Sequence, residues 1–277
     1  MKHAGIARWS FSFLTAVAVA PVAIAHAADP TEIIVFAAAP PPPPFEALVP
    51  AFEAAHAGTK VRLNLAGSQE LRTQLEQGAS ADVFASADTK NMAALEGQGL
   101  VKAPVGFARN EPVIVVPRGN PAGIRALTDL PRTKRLVIGA PEVPIGGYTV
   151  KIFEAAAKKY GPELRAKLEA SVVSRELNVR QVLAKVTLGE ADAGIVYRTD
   201  ALAGKDKVEI VAIPAEVNVQ AQYPIAAVTA SRQPELAAAW VKLVLSADGQ
   251  QRLAAAGFLP AAAVVVPAKG KAQVPAR

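Results

Sequence analysis

Reactive groups are scarce in this chain of 277 residues. Cysteine is absent, which removes thiol nucleophiles, cysteine-ligated zinc and iron–sulfur clusters, because each needs a thiolate. The only histidines are His3, His26 and His56. In Phe52-Glu-Ala-Ala-His-Ala-Gly58, His56 reads as the exposed last turn of a helix before a glycine stop, a poor place for a general base. No H-E-x-x-H, G-x-S-x-G, phosphate-binding loop or EF-hand motif occurs. Asp82 with Asp88, and Asp192 with Asp200, could be taken for paired carboxylates for acid–base or metal chemistry. In a basic, histidine-poor chain they read instead as turn and cap residues. Ser68 and Tyr197 carry hydroxyls, but neither has a histidine base that the sequence would bring to it. The expectation is a protein that binds and is not an enzyme.

The chain opens with Lys2 and Arg8, continues through a nearly uncharged apolar run from Trp9 to Ile24, and reaches Ala25-His26-Ala27, a small-x-small cleavage signal. The run is shorter than the roughly 20 residues of a spanning helix. Residues 1–27 are therefore expected to be a signal peptide, and the mature chain to be periplasmic. Loss of Lys2 and Arg8 lowers the formal charge of +6 by two. Without a local Lys/Arg cluster that small excess indicates a basic surface and no nucleic-acid partner.

Short apolar runs alternate with amphipathic stretches along the remaining chain. Strands are expected at 32–39, 60–65, 81–86, 112–116, 136–139, 193–197, 208–213 and 224–228, and helices at 45–57, 70–77, 89–97, 148–160, 179–188 and 235–256. Such alternation predicts an α/β fold with mostly parallel, helix-flanked sheets, and the length suits two lobes. From Pro260 to Arg277 the chain has prolines, small residues and basic groups but no periodic face, and reads as a flexible C-terminal tail.

Several short motifs occur in order between about Ile33 and Phe258: Gly67-Ser68 with Leu71 and Gln74, Gly78 to Asp88, Val143-Pro-Ile-Gly-Gly-Tyr148, Asn178-Val-Arg180, Gly189 to Tyr197 with Asp200, Tyr223-Pro-Ile225, and Gly257-Phe258. Together they resemble the molybdate-binding periplasmic proteins of ABC importers. The resemblance implies a type II periplasmic-binding fold: two lobes, each a mixed sheet flanked by helices, joined by two crossing strands. On that pattern residues 28–109 and 223–259 form one lobe and 110–222 the other. It implies a molybdate- or tungstate-like oxyanion held between the lobes, delivery to a membrane permease, no cofactor and a monomer. The ligand contacts it implies are Ser68, main-chain amides at Ile145 and Val179, and the hydroxyl of Tyr197, which would touch the metal only as oxyanion contacts.

Such a site is physically reasonable, since amides at helix starts lack acceptors and the helix dipole favours negative charge there. Each residue also has an ordinary reading: Ser68 as an N-cap serine, the glycines after Ile145 as a tight turn, and Tyr197 as a core tyrosine. Glu70 either points unfavourably into the cleft or faces solvent at a helix N-terminus, where a carboxylate is welcome.

One departure from the family pattern matters most. Where the family has a small hydroxyl residue and amide donors after the first strand, this chain has Ala39 followed by Pro40 to Pro44. Proline has no N–H and holds φ near about −65°. Two lost charge-assisted bonds at roughly 1.5–3 kcal/mol each would weaken oxyanion binding about 10²–10⁴-fold. That leaves room for a different small anion or organic solute on the same fold, or for an interaction or sensor protein that uses the prolines for recognition. Pro40→Ser restores one hydroxyl and one N–H, so titration calorimetry should show tighter oxyanion binding; an unchanged affinity would mean that the loop plays no part.

Overall fold

The computed structural model describes residues 31–38 and 43–261. The expected signal peptide, Ala39 to Pro42, and the tail beyond residue 261 lie outside the described residues. The chain runs β1 (Thr31–Ala38), α1 (Pro43–Ala55), β2 (Thr59–Ala66), α2 (Ser68–Glu76), β3 (Val83–Ala85), α3 (Thr89–Gly97), β4 (Val101–Asn110) and β5 (Pro112–Pro117). A 3₁₀ turn (Leu127–Arg132) leads to β6 (Leu136–Gly139), α4 (Pro144–Tyr160), α5 (Glu163–Ser171), β7 (Val172–Glu176), α6 (Val179–Thr187), β8 (Ala193–Tyr197) and α7 (Arg198–Ala203). Then follow β9 (Val208–Val211), β10 (Ala221–Val228), α8 (Pro234–Leu245), α9 (Ala247–Ala255) and β11 (Leu259–Pro260).

Two mixed sheets result, ordered β11-β4-β10-β3-β1-β2 and β7-β6-β8-β5-β9. In the first, β1 is parallel to β2 and β3, and β10 runs antiparallel to β3 and β4. In the second, β6 is parallel to β7 and β8, while β5 is antiparallel to β8 and β9. The chain crosses from one sheet to the other between β4 and β5 and returns between β9 and β10. The first crossing is almost continuous strand. The return, 212–220, contains a turn in which Val217 and Asn218 donate to Pro214 O.

The central strands β5 and β8 are buried nearly throughout, so their apolar runs are unbroken, as expected where both faces are covered. The helices follow the opposite rule. In α6, Val179, Val182 and Val186 face inward at helical spacing, while Lys185 donates outward to Glu176 at 2.6 Å. In the first lobe Trp240 of α8 meets the rings of Phe45 and Phe52 edge-on, at 5.9 and 5.2 Å, and so fixes the start of α1 against the sheet.

The structure corrects the sequence reading in several places. The helix expected at 235–256 is two helices broken at Ser246, whose Oγ donates to Leu243 O and accepts from Gly249 N. A Cβ at Gly249 would stand 2.3 Å from Leu243 O, so the second helix is tucked against the end of the first. Strand β4 carries Pro104 and Gly106 and gave no strand signal. It forms because β11 pairs with it only at Ala108 and Arg109, leaving Pro104 on a free edge, and because two register shifts against β10 absorb its irregularity. The short elements α5, β7 and α7 were not anticipated. Pro260 belongs to β11, with its carbonyl accepting from Arg109 Nε at 2.7 Å, and is not part of a tail. His56 lies just beyond α1, half-buried, its ring 4.4 Å from Phe52, where an exposed helical turn was expected.

Helix α4 begins at Pro144 and not at Tyr148, so Gly146 and Gly147 lie in its first turns and form no tight turn. What Gly146 provides is close approach: a Cβ there would sit 1.9 Å from Ala140 O, whereas at Gly147 the nearest atom, Pro141 O, is 3.5 Å away. Gly146→Ala should therefore cost about 1–3 kcal/mol of stability. Gly147→Ala should change it by less than about 1 kcal/mol, in the stabilising direction. Denaturant titration of the two variants checks the contrast.

Candidate functional site

The parallel strands of each sheet deliver the next element to one edge. Helices α2 and α3 start after β2 and β3 in the first lobe; α4 and α6 start after β6 and β7 in the second, and Tyr197 ends β8. Carboxyl ends of parallel strands are where open α/β sheets bind ligands. The two edges face each other. Gln69 Nε2 of α2 donates to Leu177 O, just before α6, at 2.8 Å, and a crevice is lined by Asp88 and Lys90 on one side and Val143, Pro144 and Tyr148 on the other.

Ser68 is the first residue of α2 and 1% exposed. It is not the N-cap, a position held by Gly67. Its Oγ accepts from Ala87 N at 3.0 Å, which ties α2 to the loop after β3 and leaves its hydroxyl proton to be donated. Glu70 is tied to its own helix start, where its carboxylate accepts from Gly67 N at 3.1 Å. Ile145 is the second residue of α4 and fully buried. Because Pro144 has no N–H, the leading donors of α4 are the amides of Ile145 and Gly146, while Gly147 N already bonds Val143 O. Val179 opens α6, whose cap Asn178 accepts from Gln181 N at 3.1 Å. This leaves the amides of Val179 and Arg180 without an acceptor inside the helix.

Tyr197 is 1% exposed, and its hydroxyl is buried without a hydrogen-bond partner among the described residues. Its ring lies 6.4 Å from that of Tyr148 and 5.7 Å from that of Tyr223, both edge-on. Three elements thus contribute a tyrosine ladder: α4, the end of β8, and β10 of the opposite sheet. Tyr148 and Tyr223 stood in the sequence motifs, but nothing in their spacing assigned them a role. Tyr148 spans the lobes, its hydroxyl oxygen accepting from Gln222 N at 3.3 Å.

Electrostatics favour an anion. Burial pushes the Tyr148 phenol up to about 12 and those of Tyr197 and Tyr223 well above their usual value, so all three remain protonated donors. Burial likewise pushes the Asp200 carboxyl well above its usual value, which disfavours a negative charge beside Tyr197. Asp88 spends its oxygens on Asn91 and Ser86 at the start of α3. Arg180 Nη2, next to Val179, is buried with no partner among the described residues.

Asp88 and Asp200 are helix-start residues, as expected, but Asp82 and Asp192 are tethers. Asp82 accepts from Ile34 N at 2.7 Å and from Ser231 Oγ at 2.6 Å, joining β1 to the segment before α8. Asp192 accepts from the amides of Lys134 and Arg135 and from the Arg135 guanidinium. Among the described residues no three of His, Asp and Glu gather where a metal ion could sit, and no helix is long and apolar enough to cross a membrane.

Two mixed α/β lobes with facing strand ends, donor amides and an orphan phenol between them define a two-lobed solute-binding protein. The chain belongs to the bacterial extracellular solute-binding protein family, which it matches over residues 33–259. It is 42% identical over 237 residues to the molybdate-binding protein ModA of Mycobacterium tuberculosis, covering 83% of this chain and 87% of that one. Among solved structures, the sulfate-binding protein SubI of the same organism superposes with a TM-score of 0.76 at 24% identity, over 86% of this chain and 88% of that one. The periplasmic molybdate-binding protein of Azotobacter vinelandii gives 0.69 at 19% identity, over 82% and 98%. These two structures show likeness of fold.

A carboxyl whose pKa is raised by folding is protonated in the folded chain and ionised in the unfolded chain between the two values. Stability therefore falls as pH rises through that interval. Asp200→Asn keeps the oxygen that accepts from Tyr197 N at 3.2 Å and cannot ionise. Its melting temperature relative to the parent should rise as pH increases above about 4, the unfolded carboxyl value. A gap that does not widen would mean that Asp200 is ionised in the fold.

Proposed function

We propose that this chain is the periplasmic component of an ABC importer that captures a tetrahedral oxyanion, molybdate or tungstate, between its lobes and presents it to a membrane permease. The observation that carries the reading is the buried, unpartnered hydroxyl of Tyr197 at the same strand edge as the starts of α4 and α6. The 42% identity to a molybdate-binding protein supports the ligand class. The contacts are the Ser68 hydroxyl, the amides at Ile145 and Val179, and the Tyr197 hydroxyl. One lobe comprises residues 28–109 with 223–259 and the other 110–222, with β4 and β10 of the first sheet running one and two residues past those bounds. The signal peptide 1–27 is cleaved, the mature chain acts as a monomer, and it carries out no chemistry on its ligand.

A site made of donors selects among anions by protonation. A fully deprotonated dianion accepts from every donor, whereas hydrogen phosphate brings a proton that needs an acceptor. Neutral donors suffice because helix starts supply partial positive charge in a site closed to water.

Titration calorimetry of the mature protein with molybdate, tungstate, sulfate and phosphate tests this. Heat is expected with molybdate and tungstate at micromolar protein, with phosphate weaker. Absence of heat with all four would defeat the proposal. If only a different anion binds, the same cleft serves a changed ligand, as the proline run at 40–44 would allow.

A further inference from the structure

The first lobe presents a polar group that the expected contacts leave unused. A small cavity sits at the carboxyl ends of the parallel strands, lined by Ala37 and Ala38 of β1, Leu65 of β2 and Ala85 of β3, with Phe45 of α1 and Tyr223 of β10. Tyr223 supplies the one polar side chain of that lining; the rest is alanine, proline, leucine and phenylalanine. The cavity offers about 20 Å³ to the centres of water-sized molecules, room for a single water and not for an organic substituent. Tyr223 is 2% exposed, and its hydroxyl is buried with no hydrogen-bond partner among the described residues.

Its surroundings explain why the protein leaves it so. The ring is wedged edge-on between Phe107 at 6.0 Å and Phe258 at 5.3 Å, neither of which can accept a hydrogen bond from a phenol in the ordinary way. Its polar neighbours are Tyr197, ring centroid 5.7 Å away and itself a buried hydroxyl without a partner among the described residues, and Asn110, whose Oδ1 already accepts from Glu111 N and whose Nδ2 donates to Thr199 Oγ1. Two adjacent phenols, one from each sheet, thus lie at the facing strand edges without a well-formed hydrogen bond among the described residues. A buried hydroxyl without a partner is unfavourable unless an acceptor arrives, and a pair of them costs more.

The sequence that follows β1 is short of donors. Residues 39–44 contain no hydroxyl, and the prolines there have no N–H.

Resting on the function proposed above, we propose that Tyr223 is a specificity-determining ligand residue, whose hydroxyl donates to the oxyanion from the first lobe beside that of Tyr197 and replaces the donor missing at positions 39–44. The polyproline sequence is then tolerated because β10 carries the hydroxyl. Burial raises the Tyr223 phenol well above its usual value, so it remains a donor across the physiological range.

The test compares the mature wild type with Tyr223→Phe and Tyr197→Phe by molybdate titration calorimetry and by melting temperature without ligand. Tyr223→Phe should weaken molybdate binding about tenfold or more, the loss of one donor to a charged acceptor. Its ligand-free melting temperature should be unchanged or higher, since the hydroxyl removed has no partner in the empty protein. Wild-type affinity in Tyr223→Phe would overturn the proposal and indicate that the hydroxyl serves a trapped water. Weaker binding accompanied by a lower ligand-free melting temperature would also overturn it, in favour of a structural role. Wild-type binding with an unaffected Tyr223→Phe sinks this inference alone, whereas a wild type that binds no oxyanion sinks the parent reading with it.

Discussion

A dianion can be held in a dry cleft without a cationic side chain only if enough hydrogen-bond donors already point at it before it arrives. Helix starts meet that requirement, because their first amides are directed along the axis and have no acceptor of their own. In this protein three such starts, those of α2, α4 and α6, stand at the carboxyl edges of parallel strands, so sheet geometry sets the position of the donors. The close approach of α4 to the end of β6 through Gly146 belongs to the same constraint: a bulkier residue would push the first turn of α4, and its free amides, away from the strand end.

The rest of the machinery keeps negative charge and loose protons out of the way. Glu70 caps its own helix, Asp88 is consumed by the start of α3, and Asp200 is driven toward its neutral form by burial. The carboxylates nearest the strand edges thus stabilise the scaffold without opposing an anion. The tyrosine ladder has the complementary character: its phenols resist ionisation and keep their protons.

Direct hydrogen bonds between the lobes are few. Gln69 reaches Leu177 O in an exposed contact, and Tyr148 accepts from Gln222 N near the crossing. A third, the buried bond from Asn110 Nδ2 at the end of β4 to Thr199 Oγ1 of α7, is 2.8 Å long, and each such neutral bond contributes only about 1 kcal/mol net. Lobes held this lightly can be drawn together by a ligand that both contact, because the shift in population follows the differential affinity for the closed form. The absence of a dominating interlobe salt bridge among the described residues fits a closure that depends on what lies between the lobes.

Much of the scaffold was legible in the sequence, for local reasons. Unbroken apolar runs such as Ala193–Tyr197 marked buried strands, Asn178 and Asp88 marked helix starts, and the ordered motifs from Gly67 to Phe258 marked the family. Elements whose local signal was contrary or weak were missed or misplaced: β4 with its internal proline, the break at Ser246, and the start of α4 ahead of its glycine pair. Those depended on a free sheet edge, a helix tucked against its neighbour, and a strand end close enough to exclude a Cβ. Chain order and helix capping were therefore determined by the sequence itself, because both are set by residues a few positions apart. That Tyr148, Tyr197 and Tyr223 stack, that Gln69 meets Leu177, and that Asp82 ties Ile34 to Ser231 were decided only by the tertiary structure. Those partners are dozens of residues apart, and only the order in which strands assemble into two sheets brings them into contact.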